Sequence, residues 1–411
     1  VKKLLGITLG IMTALGGFVD LGQIVFTMQA GALFSYSLLW VIVLGTIAII
    51  VYMEMCGRVA VVAREPVFST VRNRLGFRLG LMTLIASNLL NLLTCAAELA
   101  GVAILLHLLT GWPERALMVF AAVAFAVIIA ALKFEPIERI FGLSGLLMIA
   151  FAISAVKTHP DWSLLAKGMV PLPPVSGGKQ LLLYGYFVVG MFSALLMEYE
   201  VHFYSSGAIE EDWTTKDLGE NFMVAALGSL LGSLLTVALL VIGAEIFLPR
   251  RIFPETLSST ILASALPFGP FLLKVLLCGT LAAVGGAVVE TALSGGYNIC
   301  QFFNLPWGKN MAMKKTRVYT VSWMTMLVMA LLIAITGIRP LLLINISVIF
   351  GMVIMPFTYY PILRVAADQK VMGKHANNRF ISYVAGFFFA LIVVAALAAI
   401  PLLIATDFGK P

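Results

Sequence analysis

The chain has 411 residues, 61% of them hydrophobic and 11% charged, with a formal net charge of +7 and a mean hydropathy of +1.02. Soluble domains carry about 25% charged residues, so this composition excludes a string of soluble domains and points to one polytopic domain in a lipid bilayer. The basic excess lies in short loops between apolar runs and calls for no nucleic-acid partner.

The first apolar run, 4–33, follows Lys2 and Lys3 and has no small-residue cleavage site, so it reads as a retained span. Its centre is Gly16-Gly17-Phe18-Val19-Asp20-Leu21-Gly22-Gln23, with no other charge between Lys3 and Glu54. A carboxylate at mid-membrane depth costs at least about 2.5–3.5 kcal/mol unless paired or solvated. Glycine lets a helix unwind, and unwound backbone at that depth must line a cavity or be buried in protein. The stretch therefore reads as a cation site on a broken helix; the plainer alternative is an Asp that ties neighbouring helices together.

Further apolar runs long enough to span follow at 36–56, 79–109, 116–132, 140–156, 181–206, 221–248, 264–303, 318–336, 339–363 and 380–405. With the N-terminus placed in the cytoplasm, the loops 57–78, 133–139, 207–220, 304–317 and 364–379 join it inside and hold most of the 27 Lys and Arg residues. That asymmetry follows the positive-inside rule, and eleven spans then leave the C-terminus outside. The Pro- and Gly-rich linker around 157–180 separates five spans from five, with an eleventh appended. The expected domains are a first repeat over 1–156, an extracellular linker over 157–180, an inverted second repeat over 181–363, and a cytoplasmic loop with the last span over 364–411. Each repeat opens on a span with acidic residues near glycines: Asp20 in one, Glu198 and Glu200 after Gly185 and Gly190 in the other. Paired interrupted helices at corresponding positions point to a transporter binding site.

Asp20 and Gln23 lie one turn apart, so their side-chain oxygens can converge, and unwound backbone near Gly22 and Gly190 would add carbonyls. Oxygen ligands suit hard cations such as Mg²⁺, Ca²⁺ and Mn²⁺. Glu98 is a second mid-span acid, open to a structural or a direct role. Glu198 and Glu200 point to opposite sides of a helix, so one is expected to border water. His202 reads as a packing residue, Glu54 as the partner of a loop arginine, and Lys274 and Glu290 need partners or a wet face. Cys56, Cys95, Cys278 and Cys300 have neither metal-motif nor loop-staple spacing. No P-loop, nucleophile elbow, HExxH or nucleotide-binding motif is present, so neither an enzyme nor a bound cofactor is expected.

The stretches Asp20-Leu21-Gly22-Gln23 and Gln29-Ala30-Gly31-Ala32 resemble the first helix of the NRAMP divalent-metal transporters, which reads Asp-Pro-Gly-Asn and then Gln-Ala-Gly-Ala. Ala97-Glu98-Leu99-Ala100-Gly101 is similar to that family's Ala-Glu-Val-Ile-Gly. Met355-Pro356-Phe357, Asp368-Gln369-Lys370-Val371-Met372-Gly373 and Asn377-Asn378-Arg379 are similar to its tenth span and the loop after it. The resemblance implies an all-α membrane protein of the LeuT-type fold, two inverted five-helix repeats plus an eleventh helix, with metal held between broken helices one and six. The departures are specific. The family Asn is Gln23 and its Pro is Leu21; the aspartate thought to accept a coupled proton is Cys95. The family's helix six reads Met-Pro-His with a second His five residues later. Aligned without gaps, these positions fall on Met197-Glu198-Tyr199 and Tyr204. A shifted register instead places Gly190 and Ala194 at the metal-contact positions and removes the thioether; it is the preferred register at this point. The pattern resembles the NRAMP-related magnesium transporter branch. The resulting expectation is a monomeric uniporter for Mg²⁺ and Mn²⁺, binding a largely hydrated ion without proton coupling. Its site is Asp20, Gln23, Gly190 and Ala194, with Glu98, Met197, Glu198 and Glu200 lining the cavity. The rivals are a proton-coupled Mn²⁺/Fe²⁺ transporter and an organic-solute carrier on the same fold.

Overall fold

The computed structural model describes residues 19–175, 177–265 and 269–410. The chain is helical, with no strand among the described residues. In chain order the α-helices are α1 (Leu21–Phe34), α2 (Leu39–Ala63), α3 (Val67–Thr110), α4 (Glu114–Ala131), α5 (Phe134–Gly145), α6 (Ile149–Lys157), α7 (Trp162–Lys167) and α8 (Gly178–Leu195). They continue with α9 (Glu198–Glu210), α10 (Leu218–Ile242), α11 (Leu257–Ser264), α12 (Gly269–Phe303), α13 (Arg317–Ile335), α14 (Pro340–Ala367), α15 (Gln369–Met372) and α16 (Arg379–Ala405). Among the described residues, ten helical segments are long and apolar enough to cross a membrane; α1 is shorter. The first part of the expected span 4–33, including Gly16 and Gly17, lies outside the described residues.

Local chemistry sets the boundaries. α2 ends on Arg64 in the left-handed region, just before Glu65 and Pro66, and α3 ends on left-handed Gly111, with Pro113 two residues on; proline cannot continue a helix there. Asn378 caps α16 by accepting from the Ile381 amide at 2.8 Å. Two expected spans meet boundaries that hydropathy does not mark. α3 bends at Gly76, whose φ of 77° is a conformation that glycine alone adopts without penalty; the expected span 79–109 lies wholly beyond this bend. The long 264–303 run separates into the end of α11 and the whole of α12.

α12 and α14 pack along α3, α10 packs against α1 and α2, and α16 covers α14 from outside. α1 and α10 approach backbone to backbone: a Cβ on Gly31 would sit 2.3 Å from the Leu240 carbonyl oxygen. α10 there runs into a π-helical turn over Gly243–Phe247, a feature often found beside functional sites.

Three polar clasps hold the ends. Near the α1–α2 turn, the Trp40 amide donates to the Gly168 carbonyl at 2.9 Å, the Tyr184 hydroxyl donates to the Ser37 carbonyl at 3.0 Å, and the Tyr36 hydroxyl donates to Glu245. In the linker, Asp161 caps α7; the Ser163 hydroxyl and the Ser163 and Leu164 amides hold its carboxyl below the usual carboxylate range. At the opposite end, Arg58 pairs with Glu54 at 2.7 Å and donates to the Asn377 side chain at 2.6 Å, joining α2 to the loop before α16. Glu54 thus meets its arginine, though Arg58 belongs to α2. The third clasp is Glu210 at the end of α9. Its carboxylate accepts from the Tyr297 hydroxyl at 3.0 Å and from the Lys309 and Asn310 amides. Lys309 in turn donates to the Ile129 carbonyl at the end of α4, and burial lowers the pKa of its ammonium.

Candidate functional site

Two helix ends meet at the centre. α1 begins at Asp20, whose backbone is extended. The Asp20 carboxylate caps the helix: Oδ1 accepts from the Gln23 amide at 2.8 Å. Glu98 on α3 completes the cap from outside the segment, accepting from the Leu21 amide at 3.0 Å. A free first-turn amide buried in protein is costly, so these two acids are what allow α1 to begin inside the bundle. Gly101, one turn beyond Glu98, lets α3 close on Leu21.

The second end is the break between α8 and α9, at Leu196 and Met197. No side chain caps either helix there. Ser193, in the last turn of α8, donates to the Val348 carbonyl at 2.5 Å and fixes that turn to α14. Just past the break, the Tyr199 hydroxyl donates to Asp20 Oδ2 at 3.1 Å, and the Tyr199 carbonyl accepts from Ser294 of α12 at 3.0 Å. Gln23 is oriented by donating from Nε2 to the Thr236 hydroxyl of α10 at 2.7 Å. Its Oε1 is left buried without a partner.

Asp20 and Gln23 therefore share one compartment, and each is at most 3% exposed. Ala194 is in the last turn of α8, and Met197 is at the break itself, half-buried. Gly190 lies elsewhere than expected. It is inside regular α8, and a Cβ there would fall 2.2 Å from the Phe26 ring. Its lack of a side chain admits that ring, and the backbone around it is not unwound. The break matches the gap-free register, with Tyr199 beside Asp20, and departs from the shifted register preferred on sequence grounds. Glu198 and Glu200 differ from expectation as well: both are buried, at 2% and 6% exposure, and neither borders water. Glu290, on α12, is buried beside a cavity of about 10 Å³ lined by Phe141, Phe203 and Gly286, roomy enough for about one water. Lys274 is exposed on the outside of α12.

Asp20 interacts electrostatically with Glu98, Glu200 and Glu290. Among the described residues no Lys or Arg pairs with any of the four. Burying uncompensated carboxylates costs several kcal/mol each, a cost that a cation or a proton at this centre would offset. Among the described residues no three His, Cys, Asp or Glu side chains converge to hold a metal by themselves. An ion here would depend on one carboxylate, an amide oxygen, backbone carbonyls and water.

Sequence reasoning points to no role for Thr236 and Ser294, and reaches Tyr199 only through its register. Tyr199 had a signal, as the gap-free counterpart of a family histidine; a threonine and a serine inside apolar helices had none.

The family model for natural resistance-associated macrophage protein-like (Nramp) proteins matches residues 10–401. A divalent metal cation transporter MntH of Pediococcus pentosaceus is 26% identical over 390 residues, covering 90% of this chain and 85% of its own. The crystal structure of an Eremococcus coleocola manganese transporter, in complex with an aromatic bis-isothiourea compound, superposes with a TM-score of 0.79 at 18% identity, covering 99% of this chain and 87% of that one. A Na⁺-coupled sialic acid symporter matches more distantly, with a TM-score of 0.65 at 13% identity over 95% of this chain and 89% of its own. With one helix beginning at Asp20 and another interrupted at Met197, in a fold shared with LeuT-type transporters, the chain belongs to the natural resistance-associated macrophage protein-like family.

Proposed function

We propose that the protein carries divalent cations, Mg²⁺ and Mn²⁺, across a membrane by alternating access between two inverted repeats, 1–156 and 181–363. Divalent metal transport itself rests on the family and on relatives named as divalent metal cation and manganese transporters. The observation that carries the site is the buried Asp20 carboxylate, one turn from the unpartnered Gln23 Oε1, with no cationic side chain among the described residues paired to either. Asp20 supplies the charge, Gln23 the amide oxygen, and the last turn of α8 at Ala194 a carbonyl; Gly190 shapes the site by seating Phe26. Mg²⁺ sheds water reluctantly and keeps part of its shell, which suits a site with so few protein ligands. In the proposed orientation the basic loops and N-terminus are cytoplasmic, the C-terminus is outside, and the protein works as a monomer.

The same reading holds transport independent of protons. The position of the family's proton-accepting aspartate is Cys95, and its helix-six histidines are Tyr199 and Tyr204. Free thiols and phenols have pKa values of about 8.5 and 10, poorly matched to cycling at neutral pH. Membrane potential alone supplies about 4.6 kcal/mol per divalent ion at 100 mV, from about 2.3 kcal/mol per charge, enough to drive accumulation.

One observation favours a second reading. Met197 stands at the break, and a thioether there would favour softer transition metals in a proton-coupled Mn²⁺ transporter. Uptake into proteoliposomes at clamped potential, with a lumenal pH probe, separates the two. Competition between Mg²⁺ and Mn²⁺ in one concentration range, without lumenal acidification, is expected. Mn²⁺ uptake indifferent to excess Mg²⁺, or acidification that tracks metal entry and vanishes in Asp20→Ala, would overturn the magnesium reading.

A further inference from the structure

Just past the break, α9 carries a second group of polar side chains that the Asp20 site does not use. Glu198 is in its first turn. The Ser87 hydroxyl of α3 donates to Glu198 Oε1 at 2.7 Å, while Oε2 is buried with no partner. His202 follows one turn later on the same face and is 1% exposed. Its Nε2 lies 3.6 Å from Glu198 Oε1, too far for a hydrogen bond, and neither ring nitrogen has a partner. The Phe68 ring meets the imidazole edge-on, with centroids 5.1 Å apart. Thr358 of α14 and Tyr52 of α2 also lie near the Glu198 carboxylate.

A neutral imidazole always carries one N–H, and leaving a buried donor unmade costs about 1–3 kcal/mol, with more for a charged acceptor. Apolar side chains would fill the same space without that cost. The two open positions are complementary in one respect: a lone-pair nitrogen and a carboxylate oxygen, one helical turn apart, can both face a single cation. The geometry points to a second divalent-metal station, formed by Glu198 and His202 with the Ser87 hydroxyl beside them. Carboxylate and imidazole together suit Mn²⁺, Co²⁺ or Zn²⁺, whereas Mg²⁺ prefers oxygen alone. Two strong protein ligands with water completing the shell make a weak site, which an ion in transit can leave. The station's place on the ion's route, inward of Asp20, rests on the transport reading above; metal binding at the station does not.

Co²⁺ is the probe, because its visible absorption reports its ligands. Purified Asp20→Ala protein, lacking the central carboxylate, is titrated with Co²⁺ and retains one weak site. Adding His202→Gln or, separately, Glu198→Gln weakens that site at least about tenfold. In proteoliposomes of the parental protein, His202→Gln lowers Mn²⁺ uptake more than Mg²⁺ uptake. The station is refuted if Asp20→Ala binds no Co²⁺, or if either added substitution leaves its Co²⁺ titration unchanged. Mg²⁺ uptake by Asp20→Ala would sink the central site instead, and the Co²⁺ titration would still decide the station.

Discussion

The start of α1 and the break between α8 and α9 differ in how their backbone is satisfied. At the first, Asp20 takes the Gln23 amide and Glu98 takes the Leu21 amide, so the start of α1 is held by two acids from two helices. At the second, no side chain caps the end of α8 or the start of α9. The start of α1 holds a negative charge in place with side-chain caps. The α8–α9 break has no side-chain cap among the described residues; the Tyr199 hydroxyl just past it reaches Asp20, and Phe26 of α1 packs on Gly190 of α8. One end supplies charge, and the other an uncapped turn.

The largest effect should come from removing the charge. Asp20→Ala is expected to abolish divalent uptake in proteoliposomes while the protein remains monodisperse, at a cost of about 0.5–2 kcal/mol for the lost cap. Asp20→Asn sharpens the point: its side-chain oxygen can still accept from the Gln23 amide, so the thermal midpoint should stay near the parental value although transport is lost. Parental Mg²⁺ uptake in Asp20→Ala would place the ion elsewhere.

Next comes Gly190→Ala. The new methyl meets the Phe26 ring, and overpacking of this kind costs about 1–3 kcal/mol. Thermal denaturation should show the loss, and Phe26→Leu should restore part of it. A Gly190→Ala protein as stable as the parent would mean that this glycine does not exist to seat the ring.

Glu98→Ala should follow closely. It strands the Leu21 amide, at about 1–3 kcal/mol, whereas Glu98→Gln keeps an acceptor and should cost less. If the two variants lose equal stability, the cap is not what Glu98 provides. The smallest effect is expected at the α8–α9 break: Met197→Ala should leave Mg²⁺ uptake nearly unchanged, and a sharp loss would make the thioether a ligand.

The contrast also explains what was legible in the sequence. Asp20 announced itself as a lone charge among apolar residues, and the spans followed from hydropathy, because both are properties of a local stretch. The location of the second break did not. Glycine, read as the guide to unwinding, points to Gly190, but this glycine serves close packing and the chain breaks at Leu196 and Met197, where no Gly or Pro marks the site. Glycine has two physical uses, permissive torsions and absent bulk, and composition does not tell them apart. Tyr199 on Asp20, Thr236 on Gln23 and Ser87 on Glu198 join residues far apart in the chain, and only packing decides such partners. Glu98 reads on sequence as structural or direct; its Oε1 caps the Leu21 amide, while Oε2 stays unpartnered.

The Glu210 clasp has a consequence for watching the protein work. The amides of Lys309 and Asn310 are bonded to a carboxylate on the last residue of α9, while the loop that bears them joins α12 to α13. Any state of the cycle that tilts α9 away from α12 must release those two amides to solvent. Their hydrogen-exchange rates are therefore an unlabelled gauge of the conformational equilibrium: slow when the clasp is shut, fast when it opens, and shifted by any ion that prefers one state over the other.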